Sequence, residues 1–342
     1  MMEQGDSMDG STVQPHGGDL GVMSALFPDA FRPWIDLSTG INPWPYPLPA
    51  LDPALWARLP SASDAAALQR AAMAAYGVAD PDAILAAPGS QVLINGLPFL
   101  RPPGDDIAIV GPTYGEHQPA WARAGHRVRM ITDLPDPAGP LPDVLLLVNP
   151  NNPDGRTHDP ARLLPLLEAL ACRGGWMLVD EAFCDLRPDL SLAALAGRRG
   201  LLVLRSFGKF YGLGGLRLGF LLAPPDLVRA VSGRFGPWAV SGPALVVGAT
   251  ALSDQGWQKA MRRRLAQAMA RSLSLYQKAG VELIGGTDLY ALIRTRIERD
   301  LYRELGQAGL LARSFRDRPG LLRLGLPPDS VAMDRLTKVL IP

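Results

Sequence analysis

Between residues 84 and 223 short, almost wholly apolar runs alternate with segments of helical period, and that alternation leaves few folds open. A run of four to eight apolar residues between turn formers reads as a strand buried on both faces. Many such strands in one chain are best covered by helices on each side of a mainly parallel sheet. The spacing predicts strands at Ile84–Ala87, Ile107–Val110, Val128–Ile131, Val144–Val148, Trp176–Val179, Leu201–Arg205 and Leu216–Ala223. Helices are expected from Ser63 or Asp64 to Tyr76, after Pro88-Gly89-Ser90-Gln91, through Trp121, and from Pro160 to Cys172. Beyond Pro224-Pro225 the pattern changes to long Arg- and Ala-rich helices. A strand near Tyr290–Arg294, a helix near 300–309 and a strand near Leu321–Leu326 follow. The expected class is α/β: a large domain over 41–224 with a mainly parallel seven-stranded sheet, and a smaller α+β domain built from 1–40 and 225–342.

Charge and composition exclude several functions. A net charge of +1 with scattered arginines gives no electrostatic case for nucleic acid or an acidic membrane surface. The longest apolar runs fall far short of a membrane span, and the polar start has no signal-peptide pattern, so a cytoplasmic location is expected. Cys172 and Cys184 make no disulfide framework and read as free thiols, and no metal site is expected. One bias is sharper. Of the 34 basic residues only Lys209, Lys259, Lys278 and Lys338 are lysines. Arginine stays protonated, whereas lysine can become a neutral amine nucleophile, so a lysine kept among glycines and aromatics invites a chemical reason.

Ligands of open parallel sheets sit outside the carboxyl ends of the strands. Four such ends carry unusual polar residues: Gly89-Ser90-Gln91, Asn152, Asp180 and Ser206–Lys209. Gly89-Ser90-Gln91 opens a helix, either as an ordinary cap or as a phosphate cradle. Asn149–Gly155 is rich in turn formers, so Asn152 sits in a plain turn or offers its amide to a ring oxygen. Asp180 ends a buried strand and needs a cation, either an arginine or a pyridinium nitrogen. Ser206 and Arg217 suit a phosphate, and Lys209 suits a Schiff base.

Together these segments resemble the class I and II aminotransferases of fold type I. Ser206-Phe207-Gly208-Lys209-Phe210-Tyr211-Gly212-Leu213-Gly214-Gly215-Leu216-Arg217 is similar to their lysine motif. Asn149–Gly155 resembles their Asn-Pro-Asn-Asn-Pro-Thr-Gly loop, and Asp180–Phe183 their Asp-Glu-Ala-Tyr or Asp-Glu-Ala-Phe segment. The resemblance implies pyridoxal 5′-phosphate (PLP) on Lys209, Asp180 on the ring nitrogen and Tyr114 against the ring. It implies phosphate contacts from Ser90, Gln91, Ser206 and Arg217, a substrate carboxylate on Arg323, and a homodimer with its site at the subunit interface. Three departures stand out. Phe183 lacks a hydroxyl, so Asn152 alone serves the ring oxygen; Asp154 replaces the loop threonine; and Arg58-Leu59-Pro60 stands where relatives carry a Tyr-Pro pair that reaches the neighbouring subunit.

His16-Gly17-Gly18-Asp19-Leu20 and Ile41-Asn42-Pro43 are similar to segments of the threonine-phosphate decarboxylases of cobalamin biosynthesis. That subfamily implies a phosphorylated amino-acid substrate and loss of carbon dioxide, with His16 and Asn42 at the substrate. From the residues alone His16 is as readily a surface-loop residue. Asn42 precedes a proline, so its backbone is expected to be extended with the amide free to face a substrate. An aminotransferase of the histidinol-phosphate type shares every cofactor residue named and stays the alternative.

Overall fold

The computed structural model describes residues 17–295, 299–315 and 317–341. Its centre is a seven-stranded sheet: β1 (Ile84–Ala87), β2 (Asp106–Val110), β3 (Arg127–Ile131), β4 (Val144–Val148), β5 (Trp176–Asp180), β6 (Leu201–Ser206) and β7 (Gly219–Leu222), in the order β1-β7-β6-β5-β4-β2-β3. Every pairing is parallel except those of β7, which runs antiparallel to both β1 and β6. β4 and β5 are buried at every position, which is why they read as unbroken apolar runs. β3 is one of the two edge strands, and it blunts its edge with the exposed Arg127 and Arg129.

The helices follow their sequence signals closely. Helix Pro160–Cys172 is capped by Asp159 and turns Leu163, Leu166, Leu167 and Leu170 to the core, the spacing of one helical face. Helix Ala62–Tyr76 starts two or three residues earlier than a Ser63 or Asp64 cap would allow, because the Ser61 hydroxyl caps it by accepting from the Asp64 N–H. It stops at Gly77, whose φ of 69° is left-handed. Helix Gly242–Ser253 lies against it closely enough that a Cβ on Gly248 would come 2.8 Å from Leu68.

A second, antiparallel sheet holds β8 (Glu282–Thr287), β9 (Tyr290–Arg294), β10 (Arg313–Ser314) and β11 (Leu321–Gly325) in the order β10-β11-β9-β8. Ile35–Asp36 pairs in parallel with Leu310–Leu311 and so ties the N-terminal segment to this part of the chain. Helix Pro225–Phe235 packs against β1, and helix Gly242–Ser253 against helix Ala62–Tyr76. Among the described residues no helix is long and apolar enough to cross a membrane.

Candidate active site

The carboxyl ends of β1, β2, β4, β5 and β6 meet at one edge of the large sheet, where a cavity of about 590 Å³ opens. Gly89, Ser90, Gln91, Tyr114, Asn152, Asp180, Ser206, Lys209, Arg217 and Arg323 all line it, so ten of the twelve residues singled out from the sequence share one space.

One end of the cavity is built for an anion. Gly89 has φ 86°, and a Cβ there would come 2.8 Å from Arg217 Nη2, so only glycine lets this turn and the guanidinium lie so close. A Cβ on Gly219 would fall 2.6 Å from the Ser90 nitrogen, which seats the start of β7 against the same turn. Arg217 holds a left-handed φ of 55° and donates Nη1–H to the Gly214 carbonyl at 3.0 Å. Ser206 does not spend its side chain on capping the helix it opens, which leaves its hydroxyl to the cavity.

Deeper in lies Asp180, 3% exposed. Its Oδ1 accepts from the Ala182 N–H at 3.0 Å, and its Oδ2 lies 3.0 Å from Nε2 of buried His117. Sequence reasoning missed His117. The only signal was a histidine three residues after Tyr114, at the start of the helix that follows β2. The Tyr114 ring meets the His117 imidazole edge-on at 5.9 Å and its hydroxyl donates to Gln91 Oε1 at 3.1 Å. Burial, helped by the charges of Glu116 and Asp180, pushes the Tyr114 phenol up to about 12, so it is a neutral donor at neutral pH.

Lys209 projects from the one-turn helix Phe207–Phe210, its Nζ 3.4 Å from the Thr39 carbonyl and 5.9 Å from the centre of the Phe183 ring. Burial of the amine lowers its pKa to about 8, with Arg323 and Arg217 adding to the shift and Asp180 and Asp36 opposing it. Asn152 Oδ1 accepts from Arg323 Nη1 at 2.6 Å, while Arg323 Nη2 donates to the Ser38 carbonyl. This bracing takes up the oxygen of Asn152; among the described residues nothing accepts from its amide nitrogen, which is left for a ligand. Arg323 is 8% exposed, and its Nε finds no partner among the described residues. Burial lowers its pKa, yet it remains a cation.

One expectation ends differently, and another lies outside the described residues. Asn42 does not face the cavity. It is 2% exposed, its Nδ2 donates to the Phe210 carbonyl at 2.8 Å and its Oδ1 accepts from the Trp44 N–H at 2.9 Å, so both ends of the amide are spent on backbone. The turn chemistry before Pro43 was legible, but the distant carbonyl was not. His16 lies outside the described residues; its neighbour Gly17 lines the cavity, and the Gly18 N–H donates to Ser38 Oγ at 2.9 Å. Asp154 serves its own loop, accepting from Asn151 Nδ2 at 2.7 Å and from the Arg156 N–H at 3.0 Å. Arg58 pairs with Asp64 at 2.7 Å, and Leu59 is exposed. Arg313, Phe315 and Glu116 also line the cavity and were not singled out. Arg313 was one arginine among thirty, on a strand of only two residues.

A family model described as aminotransferase class I and II matches residues 50–340. Over 327 residues the chain is 43% identical to a threonine-phosphate decarboxylase of Pseudomonas aeruginosa, covering 95% of this chain and 97% of that one. It is 40% identical over 329 residues to a threonine-phosphate decarboxylase of Sinorhizobium sp., with the same coverage. Among solved structures, the histidinol-phosphate aminotransferase of Sinorhizobium meliloti, in complex with pyridoxal-5′-phosphate, superposes with a TM-score of 0.78 over 94% of each chain at 19% identity.

Proposed function

The chain belongs to the class I and II aminotransferase family, and from that premise we propose that it is a PLP-dependent decarboxylase. Its substrate would be L-threonine O-3-phosphate, and its products carbon dioxide and (R)-1-amino-2-propanol O-2-phosphate, a step of cobalamin biosynthesis. The observation that carries this reading is the near-full-length likeness, at 40% identity or above, to two threonine-phosphate decarboxylases. The likeness to the histidinol-phosphate aminotransferase, at 19% identity, bears on the fold alone.

The cavity fits PLP. The glycine-walled end that a Cβ on Gly89 would fill, with Ser90, Ser206 and Arg217 around it, matches a phosphate, and a buried carboxylate and a lysine lie within the same space. Gln91 would complete the phosphate contacts, Tyr114 would lie against the ring, the Asn152 amide would donate to the ring oxygen, and Asp180 would face the ring nitrogen. When bound, PLP supplies an aldehyde for an amine and a ring that draws electrons from the substrate's Cα.

The chain's own residues do the rest. Asp180 is oriented by His117 and the Ala182 N–H, so that its carboxyl group is presented at the cavity floor. Lys209 Nζ, with a pKa of about 8, gains or loses a proton close to neutral pH and is placed to return one to Cα after carbon dioxide has left. Arg323 and Arg313 offer two guanidinium groups to a substrate with two anionic groups, a carboxylate and a phosphate. Phe183 and Ile41 add apolar surface to a wall that also carries Thr39, Thr113 and Glu116. A homodimer, a cytoplasmic location and a large domain bounded near residue 224 belong to the same proposal.

The product assay decides between loss of carbon dioxide and transfer of the amino group. With threonine phosphate and no oxo acid, the holoenzyme is expected to turn over many times, releasing one carbon dioxide for each aminopropanol phosphate. A reaction that stops after one equivalent and restarts with 2-oxoglutarate would make the protein an aminotransferase.

A further inference from the structure

The Ile41-Asn42-Pro43 segment does not reach the substrate space through Asn42, and its place in the fold suggests another task. Lys209 stands on a single helical turn, Phe207–Phe210. A turn of that length satisfies almost none of its own carbonyls and is unstable alone. The neighbouring segment 42–46 takes them one after another. The Asn42 N–H donates to the Lys209 carbonyl at 3.0 Å, Asn42 Nδ2–H to the Phe210 carbonyl at 2.8 Å, and the Tyr46 N–H to the Tyr211 carbonyl at 2.8 Å. Pro43 and Pro45 have no N–H to offer and the Trp44 N–H is spent on Asn42 Oδ1, so the middle carbonyl is met by the Asn42 side chain. The Trp44 N–H on Asn42 Oδ1 fixes which end of the amide faces Phe210. The approach is tight: a Cβ on Gly212 would come 2.7 Å from the Asn42 carbonyl oxygen and from Pro45 Cα. On the other side the turn is backed by Phe207 stacked on Tyr211 at 4.2 Å and Tyr211 stacked on Trp257 at 5.6 Å.

We propose that Asn42 is a positioning residue for Lys209: its amide caps the turn that bears the lysine and so sets the depth at which Nζ meets the ligand. The proposal rests on Lys209 being the residue that captures PLP. At that depth the amine faces Arg323 and Arg217 as repelling cations, and Asp180 and Asp36 as attracting carboxylates. Without the amide the buried Phe210 carbonyl loses its donor, the turn relaxes towards solvent, and Nζ regains hydration.

Capture of PLP by the apoprotein, followed by its visible absorbance across a pH series, reads this directly, because only the neutral amine reacts. Asn42→Leu keeps the volume and adds no charge; Asn42→Ala removes the volume as well. In the unaltered protein capture is expected to be half-maximal near pH 8. In both variants the midpoint is expected to move up by about one pH unit towards the ordinary lysine value, with capture at pH 7 falling roughly tenfold. Variants that fold and capture PLP with an unmoved midpoint, or that both fail to fold, would make Asn42 a structural residue and overturn the proposal. Lys209→Ala separates the two failures: a visible band in that protein would remove the premise itself.

Discussion

Asp180 carries the heaviest demand of any side chain in the cavity, since a carboxylate so deeply buried must be matched by donors or a cation. Among the described residues its partners are His117 and one backbone N–H, and neither accounts for its facing the cavity rather than the core. Asp180→Asn is therefore expected to keep the fold and the visible band but to slow turnover by about two to three decades, about 3–4 kcal/mol at the transition state. A near-normal rate would reduce the carboxylate to a structural role. Arg323 is fixed by Asn152 on one side and Ser38 on the other, so its fork is oriented before a substrate arrives. Arg323→Lys loses the planar pair of donors, and KM should rise by roughly one to two decades, the scale of a charge-assisted hydrogen bond at about 1.5–3 kcal/mol. An unchanged KM would place the substrate's anionic groups elsewhere. Much of this site was legible because Asp180 and Ser206 end apolar strands and Asn152 and Lys209 follow within four residues of such ends, where a polar residue is conspicuous. His117 and Arg313 were not, since helical position and strand pairing decide what they face. Asn42 was legible as a turn residue only; the carbonyl it serves is 168 positions away in the chain.

At the level of elements, β5 and β6 are locked by charges on the face turned from the cavity. Buried Arg205 of β6 meets Glu181 Oε2 at 2.8 Å and also Asp185, and stacks over the Tyr76 ring at 4.5 Å. Ser191 Oγ and the Leu192 N–H complete Glu181 at 2.6 and 2.7 Å. Arg205 adjoins Ser206 in the chain and Glu181 adjoins Asp180, so the network fixes the register on which the site depends. Arg205→Met strands two buried carboxylates and is expected to lower stability by about 3–5 kcal/mol in urea unfolding of the apoprotein. A loss under about 1 kcal/mol would mean that solvent reaches the network. β8 escaped the sequence reading because Gly285-Gly286 breaks its apolar pattern. The glycines are there for the Asn152 loop: a Cβ on Gly285 would come 2.1 Å from the Asp154 carbonyl oxygen, and one on Gly155 would come 1.8 Å from that of Gly286. The strands of the large sheet were legible because burial on both faces leaves an apolar run. That β7 runs antiparallel was not, because an apolar run carries no direction.

On the scale of the whole molecule, the large sheet supplies the cavity floor while β10 and β11 bring Arg313 and Arg323 to it from the other sheet. The site thus depends on how the two sheets meet, which no local pattern in the sequence encodes. Leu48, Trp56 and Leu59 crowd into one stretch of chain and are 63%, 73% and 63% exposed, more apolar surface than an isolated protomer usually leaves to water. Sedimentation should accordingly give twice the 36.6 kDa chain mass, and Trp56→Glu should shift the protein towards the single-chain mass. A protein that sediments as one chain at micromolar concentration would count against the dimer. The central claim, that this cavity is organised around one reactive lysine, has a sharper test in the chain's own composition, because only four lysines compete for the ligand. Borohydride reduction of the PLP-loaded protein, followed by peptide mapping, should place one equivalent of label on the peptide that contains Lys209 and none on those of Lys259, Lys278 or Lys338. Label spread over those three, or absent from the Lys209 peptide, would contradict the account.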